Sequence, residues 1–187
     1  LKTISLVAMP GAGKSTAGKH LAQALGVAFV DADHEIERRI GGSIRSFFET
    51  EGEVAFRDVE EQVISDLAQR PGQVLATGGG AVLRPANRQA LREHTTVIYL
   101  RATPEELFRR LRHDTQRPLL QVADPLRRLR DLYRDRDPLY REVAQFIIET
   151  GRPSVATMVN MILMQLELAG LVDPAQVPAT VGVRLPR

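Results

Sequence analysis

Cysteine and tryptophan are absent from this 187-residue chain, and lysine is nearly so, at positions 2, 14 and 19 alone. Without cysteine there is no disulfide, no thiolate nucleophile and no zinc–thiolate site. The four histidines, His20, His34, His94 and His113, have no metal-ligand spacing. A formal net charge of +2 is too small for a nucleic-acid-binding surface. No apolar run approaches the roughly 18 residues that cross a bilayer. Leu1-Lys2-Thr3 leads into an apolar segment with no small-residue cleavage site behind it, so no signal peptide is expected. These absences predict a cytoplasmic protein, a monomer, with neither nucleic acid nor membrane as partner. What is present, 43% hydrophobic and 26% charged residues, suits one soluble domain with a sizeable core.

Apolar runs alternate with helical stretches, the signature of an α/β fold with a parallel sheet. Strands are predicted over 4–9, 27–30, 74–77, 97–100 and 146–148. Helices are predicted over 15–25, 33–69 with breaks near Gly41-Gly42 and Gly52, 85–93, 103–112, 125–143 and 155–169. Met158, Met161 and Met164 recur at helical spacing and read as core. Residues 113–124 are polar and read as a mobile loop. From Gly170 periodicity is lost and prolines appear at 174, 178 and 186, so residues 1–170 are expected to form the domain and 171–187 a poorly ordered tail.

The strongest local signal is Met9-Pro10-Gly11-Ala12-Gly13-Lys14-Ser15-Thr16, set between a strand and a helix. Glycines let successive backbone N–H groups turn toward phosphate oxygens, and the helix start adds its positive dipole end. Lys14 is placed to reach the β- and γ-phosphates of a nucleoside triphosphate, and the Ser15 hydroxyl to bind Mg²⁺. One position departs from the full motif: Ala8 stands where a glycine is usual. Ala there costs on the order of 1 kcal/mol if that residue needs a positive φ, and little if it only ends the strand.

Other nucleotide-binding classes fit less well. A guanine-reading Asn-Lys-x-Asp segment is missing, since neither Asn87 nor Asn160 precedes a lysine. The third strand ends in Gly78-Gly79-Gly80 rather than in the metal-binding Asp of motor-type ATPases. Asp31, at the end of the second strand, is therefore the candidate second metal ligand. Asp33, two residues on, is either a functional carboxylate at a strand's carboxyl end or merely the cap of the next helix.

Taken in order, Gly11-Ala12-Gly13-Lys14-Ser15-Thr16, Asp31-Ala32-Asp33, Phe56-Arg57, Gly78-Gly79-Gly80, Arg117-Pro118-Leu119-Leu120 and Arg136-Asp137-Pro138-Leu139-Tyr140 resemble the shikimate kinases, over roughly residues 4–165. The resemblance implies a P-loop kinase of the nucleoside-monophosphate-kinase type. Its fold would be a three-layer α/β/α sandwich on a five-stranded parallel sheet of order 2-3-1-4-5, with a lid over 113–124 and a substrate-binding region over 31–62. It implies ATP and Mg²⁺ as cofactors and shikimate as the acceptor. Asp31 with Ser15 would support Mg²⁺, and Asp33 would orient or deprotonate the acceptor hydroxyl. Arg57 and Arg136 would hold the carboxylate, Gly78, Gly79 and Gly80 would surround the substrate with N–H groups, and Arg117 would reach the phosphates from the lid. Arg109, Arg110, Arg152 and Pro153 fall where the family meets adenine. The chemistry of the residue types agrees, since guanidinium forks suit a carboxylate and a carboxylate suits a diol. The related gluconate kinases share the loop and lid, but the pairing of Phe56-Arg57 with three glycines favours shikimate. A nucleotide-binding protein without catalysis, acting through partners, is disfavoured by Lys14, Ser15, Asp33 and Arg117 occurring together.

Overall fold

A computed structural model describes residues 1–112, 121–151 and 154–176. Five parallel strands form one sheet: β1 (Thr3–Val7), β2 (Ala28–Asp31), β3 (Gln73–Ala76), β4 (Thr95–Arg101) and β5 (Phe146–Glu149), in the order β2-β3-β1-β4-β5. Seven helices connect and cover them among the described residues: α1 (Lys14–Leu25), α2 (Ala32–Ile40), α3 (Ile44–Ala68), α4 (Pro85–His94), α5 (Pro104–Leu111), α6 (Pro125–Val143) and α7 (Val155–Leu168). The three inner strands β1, β3 and β4 are buried nearly throughout, as parallel strands covered on both faces must be, while edge strands β2 and β5 are partly exposed.

The strand order decides where a ligand can enter. From β1 the chain moves outward to β2 at the far edge, then returns through β3 and proceeds to β4 and β5 in the opposite direction. Right-handed crossovers therefore place α1 on one face and α3, α4 and α6 on the other. The packing agrees: α1 meets α7, whereas α3 meets α4 and α4 meets α6. At the carboxyl ends of adjacent strands β1 and β3 the chain departs toward opposite faces, which opens a crevice at the topological switch point.

The predicted elements recur with small shifts, each with a local cause. Strand β4 starts at Thr95, two residues before the apolar run. Thr95 and Thr96 are buried, and Thr95 Oγ1 satisfies itself by donating to the Leu91 carbonyl at 2.7 Å. The expected breaks in the long second helical region both occur: Gly41 closes α2 with φ 71°, and Gly52, at φ 88° and ψ 173°, kinks α3. Leu171 and Val172, assigned above to the tail, pack against the core. Residues 177–187 lie outside the described residues, as do 113–120 of the expected lid. Of that loop's remainder, Asp124 caps α6 by accepting from Arg127 N–H at 3.1 Å. Among the described residues, no helix is long and apolar enough to cross a membrane.

Candidate active site

The loop from Met9 to Gly13 is built on two left-handed glycines, Gly11 at φ 86° and Gly13 at φ 89°. Gly11 is doubly constrained, because a methyl on its Cα would lie 2.8 Å from the Leu111 side chain. Ala8 is not strained: no residue other than glycine has a positive φ among the described residues, and Ala8 is fully buried as the end of β1. Its carbonyl accepts from Lys14 Nζ at 2.8 Å. Helix α1 has no side-chain cap at Gly13, so its first-turn N–H groups remain available to an anion. Burial lowers the Lys14 ammonium to about 8, against the opposing pull of Asp33.

The acidic pair divides its work differently from the simplest sequence reading. The cap of α2 is Asp31, whose Oδ1 accepts from Asp33 N–H at 2.9 Å. Its Oδ2 accepts from the Ser15 hydroxyl at 3.1 Å. Asp33 sits in the first turn of α2 and leaves its carboxylate free to face the crevice. Burial pushes that carboxyl up to about 6, with Lys14 pulling the other way.

Across the crevice, Gly78, Gly79 and Gly80 follow β3. None of them has a positive φ; space, not backbone conformation, demands glycine here. A methyl on Gly78 would stand 2.9 Å from Asp33 Oδ1. One on Gly79 would stand 2.9 Å from the Pro10 ring and 3.3 Å from an Arg136 guanidinium nitrogen. One on Gly80 would stand 2.6 Å from the Arg57 guanidinium. The three glycines thus each lie beneath one of the side chains that the sequence singled out from β2–α2, α6 and α3. Thr77 ties this loop to β1 by donating its hydroxyl to the Leu6 carbonyl at 2.9 Å.

Arg57 is held by Glu60, whose Oε1 accepts at 2.8 Å from one turn along α3. From spacing alone, either Glu60 or Glu61 could pair with Arg57 on a helix face. Glu60 is instead only 1% exposed, and its other oxygen lies 3.2 Å from the methyl position of Gly78. A buried carboxylate beside Asp33, Arg57 and the glycine loop belongs to the site, and its one sequence signal is the i,i+3 spacing from Arg57. Arg57 Nε has no hydrogen-bond partner among the described residues, its nearest carboxylate being Glu53 at 3.7 Å, and the guanidinium lies 5.1 Å from the Phe56 ring centroid. Of the arginines expected near adenine, both Arg109 and Arg110 are exposed; Arg110 lines the crevice and donates to the Gly151 carbonyl at 2.9 Å, whereas Arg109 does not line it. Arg117, Arg152 and Pro153 lie outside the described residues.

The crevice encloses about 500 Å³ between the phosphate loop, Asp31, Asp33, Thr77, Gly78, Gly79, Arg110 and Leu111. Among the described residues, no cluster of three His, Cys, Asp or Glu side chains could hold a metal by itself. Ser15 and Asp31 fit a cation of the Mg²⁺ type, because they offer two hard oxygen donors beside a phosphate-binding loop and leave the remaining positions to phosphate and water.

Comparison with known proteins agrees over nearly the whole chain. The family model described as shikimate kinase matches residues 10–167. A shikimate kinase of Paracidovorax citrulli is 61% identical over 176 residues, covering 92% of this chain and 96% of that protein. The structure of the Acinetobacter baumannii shikimate kinase in complex with shikimate superposes with a TM-score of 0.85 at 47% identity, over 92% of this chain and 96% of that one. A gluconokinase from Sinorhizobium meliloti reaches a TM-score of 0.58 at 17% identity, over 90% and 93% of the two chains, which shows a common fold and no more. With a matching family model across the phosphate loop, the acidic pair and the glycine loop, and a relative this similar end to end, the chain belongs to the shikimate kinase family.

Proposed function

We propose that this chain transfers the γ-phosphoryl group of ATP to the 3-hydroxyl of shikimate, giving shikimate 3-phosphate, a step of aromatic amino-acid biosynthesis. The observation that carries the reading is that Asp33, Arg136 and Arg57 each lie against one of Gly78, Gly79 and Gly80, while Asp33, Gly78 and Gly79 line a crevice together with the phosphate loop. Gly11, Ala12, Gly13, Lys14, Ser15 and Thr16 hold the triphosphate by backbone N–H groups and the Lys14 ammonium. Ser15 and Asp31 would hold Mg²⁺, which when bound neutralises phosphate charge. Arg57 and Arg136 grip the shikimate carboxylate from opposite sides, and Gly78, Gly79 and Gly80 allow it to lie close to backbone. Asp33 accepts a hydrogen bond from the attacking hydroxyl and takes its proton as the O–P bond forms. With a carboxyl titrating near 6 it is ionised at neutral pH yet basic enough for that task. Lys14 and Arg117 stabilise charge on the transferring group, and positioning together with charge neutralisation is most of what such a transfer needs. Arg110 and Arg152 border the nucleotide. The scheme has an acceptor side over 31–62 and a lid over 113–124, and uses no residue of 177–187.

The test is a coupled assay with ATP and shikimate, and with gluconate as comparison. ADP should form with shikimate and not with gluconate, in proportion to shikimate phosphate. ADP formation with gluconate alone, or none with either, would overturn the proposal.

A further inference from the structure

The acceptor-site reading uses Arg136 and the glycines beneath it, but leaves Tyr140 without a role. Tyr140 stands one turn further along α6 and is fully buried. Positions four apart on a helix share a face, and both of these side chains reach the same glycine. Arg136 lies over the Gly79 Cα, while the Tyr140 hydroxyl donates to the Gly79 carbonyl. Burial pushes the phenol up to about 12, so it keeps the proton it donates. Its ring is also fixed. The Tyr99 ring packs against it with centroids 4.9 Å apart.

The consequence lies in the next peptide. A trans peptide is planar, and its carbonyl and the following N–H point in opposite directions. Holding the Gly79 carbonyl toward α6 turns the Gly80 N–H away from α6. That N–H has no backbone acceptor among the described residues. Ala81 N–H closes a turn onto the Gly78 carbonyl at 3.1 Å, but with glycine on both sides the central Gly79–Gly80 peptide can still flip, so one orientation needs a further hold. We propose that Tyr140 is a positioning residue for the acceptor substrate: its hydroxyl locks the Gly79–Gly80 peptide so that the Gly80 N–H is presented to shikimate. This rests on the reading of Gly78–Gly80 as the acceptor site.

Tyr140→Phe keeps the ring and removes the lock; because the hydroxyl also meets Arg136, the shikimate-induced shift of the Gly80 amide is compared between wild type and Tyr140→Phe, and an equal shift in both overturns the proposal. Loss of an ordered hydrogen-bond donor should raise KM for shikimate about tenfold while KM for ATP stays within about twofold. Tyr99→Phe is the matched control, because it deletes a buried hydroxyl of the same packed pair without touching Gly79; its shikimate KM should stay near that of wild type. Equal effects of the two variants, an unchanged shikimate KM in Tyr140→Phe, or an equal rise in both KM values would each overturn the proposal. A measurement on the wild-type protein covers the case in which Tyr140→Phe does not fold. Glycine labelling with ¹³C-carbonyl and ¹⁵N marks the Gly–Gly peptides, and the Gly80 amide should shift on addition of shikimate; a stationary resonance overturns the proposal. Arg136→Ala separates the two levels. If it raises shikimate KM while Tyr140→Phe does not, only the role of Tyr140 fails. If both leave it unchanged, the acceptor-site reading itself fails.

Discussion

Lys14 and Asp33 are displaced toward each other in proton affinity: burial lowers one to about 8 and raises the other to about 6. Each is a charge kept at a cost in stability, and each therefore predicts a signature. Lys14→Met should abolish ATP turnover and leave the circular-dichroism spectrum intact; a folded variant with wild-type turnover would remove Lys14 from the mechanism. Asp33→Asn keeps the shape and loses the base, so kcat should fall about 10²–10⁴-fold. A fall of less than about tenfold would mean that Asp33 only occupies space. In the ligand-free wild type, the same carboxyl links pH to stability. Its folded pKa lies above the unfolded value of 3.8, so between about 4 and 6 the folded state holds the proton more tightly. Its contribution to stability is therefore present at pH 4 and lost as pH rises through 6. Chemical denaturation across that range should show this component missing in Asp33→Asn. The wild-type rate, in contrast, should fall as pH drops below about 6, since the ionised form is the active one. Ala8 supplies a test of opposite sense. The residue ends a buried strand without a positive φ. Ala8→Gly, which restores the usual motif, should lower stability by roughly 0.5–1 kcal/mol without raising activity.

At the scale of elements, the glycine loop is the part most sensitive to bulk. Gly80→Ala would push a methyl into the Arg57 guanidinium, and Gly79→Ala would meet both Pro10 and Arg136. Both should raise shikimate KM strongly, and a steady-state comparison with ATP KM checks that the damage stays on the acceptor side. The elements themselves were legible in sequence because period and punctuation agree. Thr103 caps α5 in a capping box with Glu106, and Gly41 and Gly52 break the helices where they stand. What sequence could not supply is which face of each element is buried. An Arg57–Glu60 pair at i,i+3 looks the same on a solvated helix as in a site, and only the closing of the β3 loop over α3 makes Glu60 a buried carboxylate. Likewise the sequence offered Asp33 as a cap of α2, and the geometry of the β2–α2 turn gives that place to Asp31 instead. The role of the three glycines is also spatial. No backbone signal marks them, because their φ angles are open to any residue.

At the scale of the whole molecule, the sheet order provides one crevice for both ligands of the proposed transfer. The phosphate loop leaves β1 toward one face and the glycine loop leaves β3 toward the other, so donor and acceptor groups meet at the switch point without any insertion. The two ends of the chain contribute unequally to this. Residues up to Val172 touch the core, and nothing beyond belongs to the proposed site. Removal of residues 177–187 should leave kcat and both KM values within about twofold of the full chain. A larger loss would give the segment a role that its sequence does not suggest. The account as a whole stands on shikimate lying across Gly78–Gly80 with its carboxylate on Arg57, and a double-mutant cycle in kcat/KM tests that most directly. Its four corners are shikimate and an analogue with the carboxylate reduced to an alcohol, each with wild type and with Arg57→Ala. A hydrogen bond to a charged group contributes about 1.5–3 kcal/mol, so the analogue should lose roughly tenfold to a hundredfold with wild type. With Arg57→Ala it should lose much less, because both changes delete one shared interaction. Losses that simply multiply would contradict the account and leave Arg57 as a brace for its own helix.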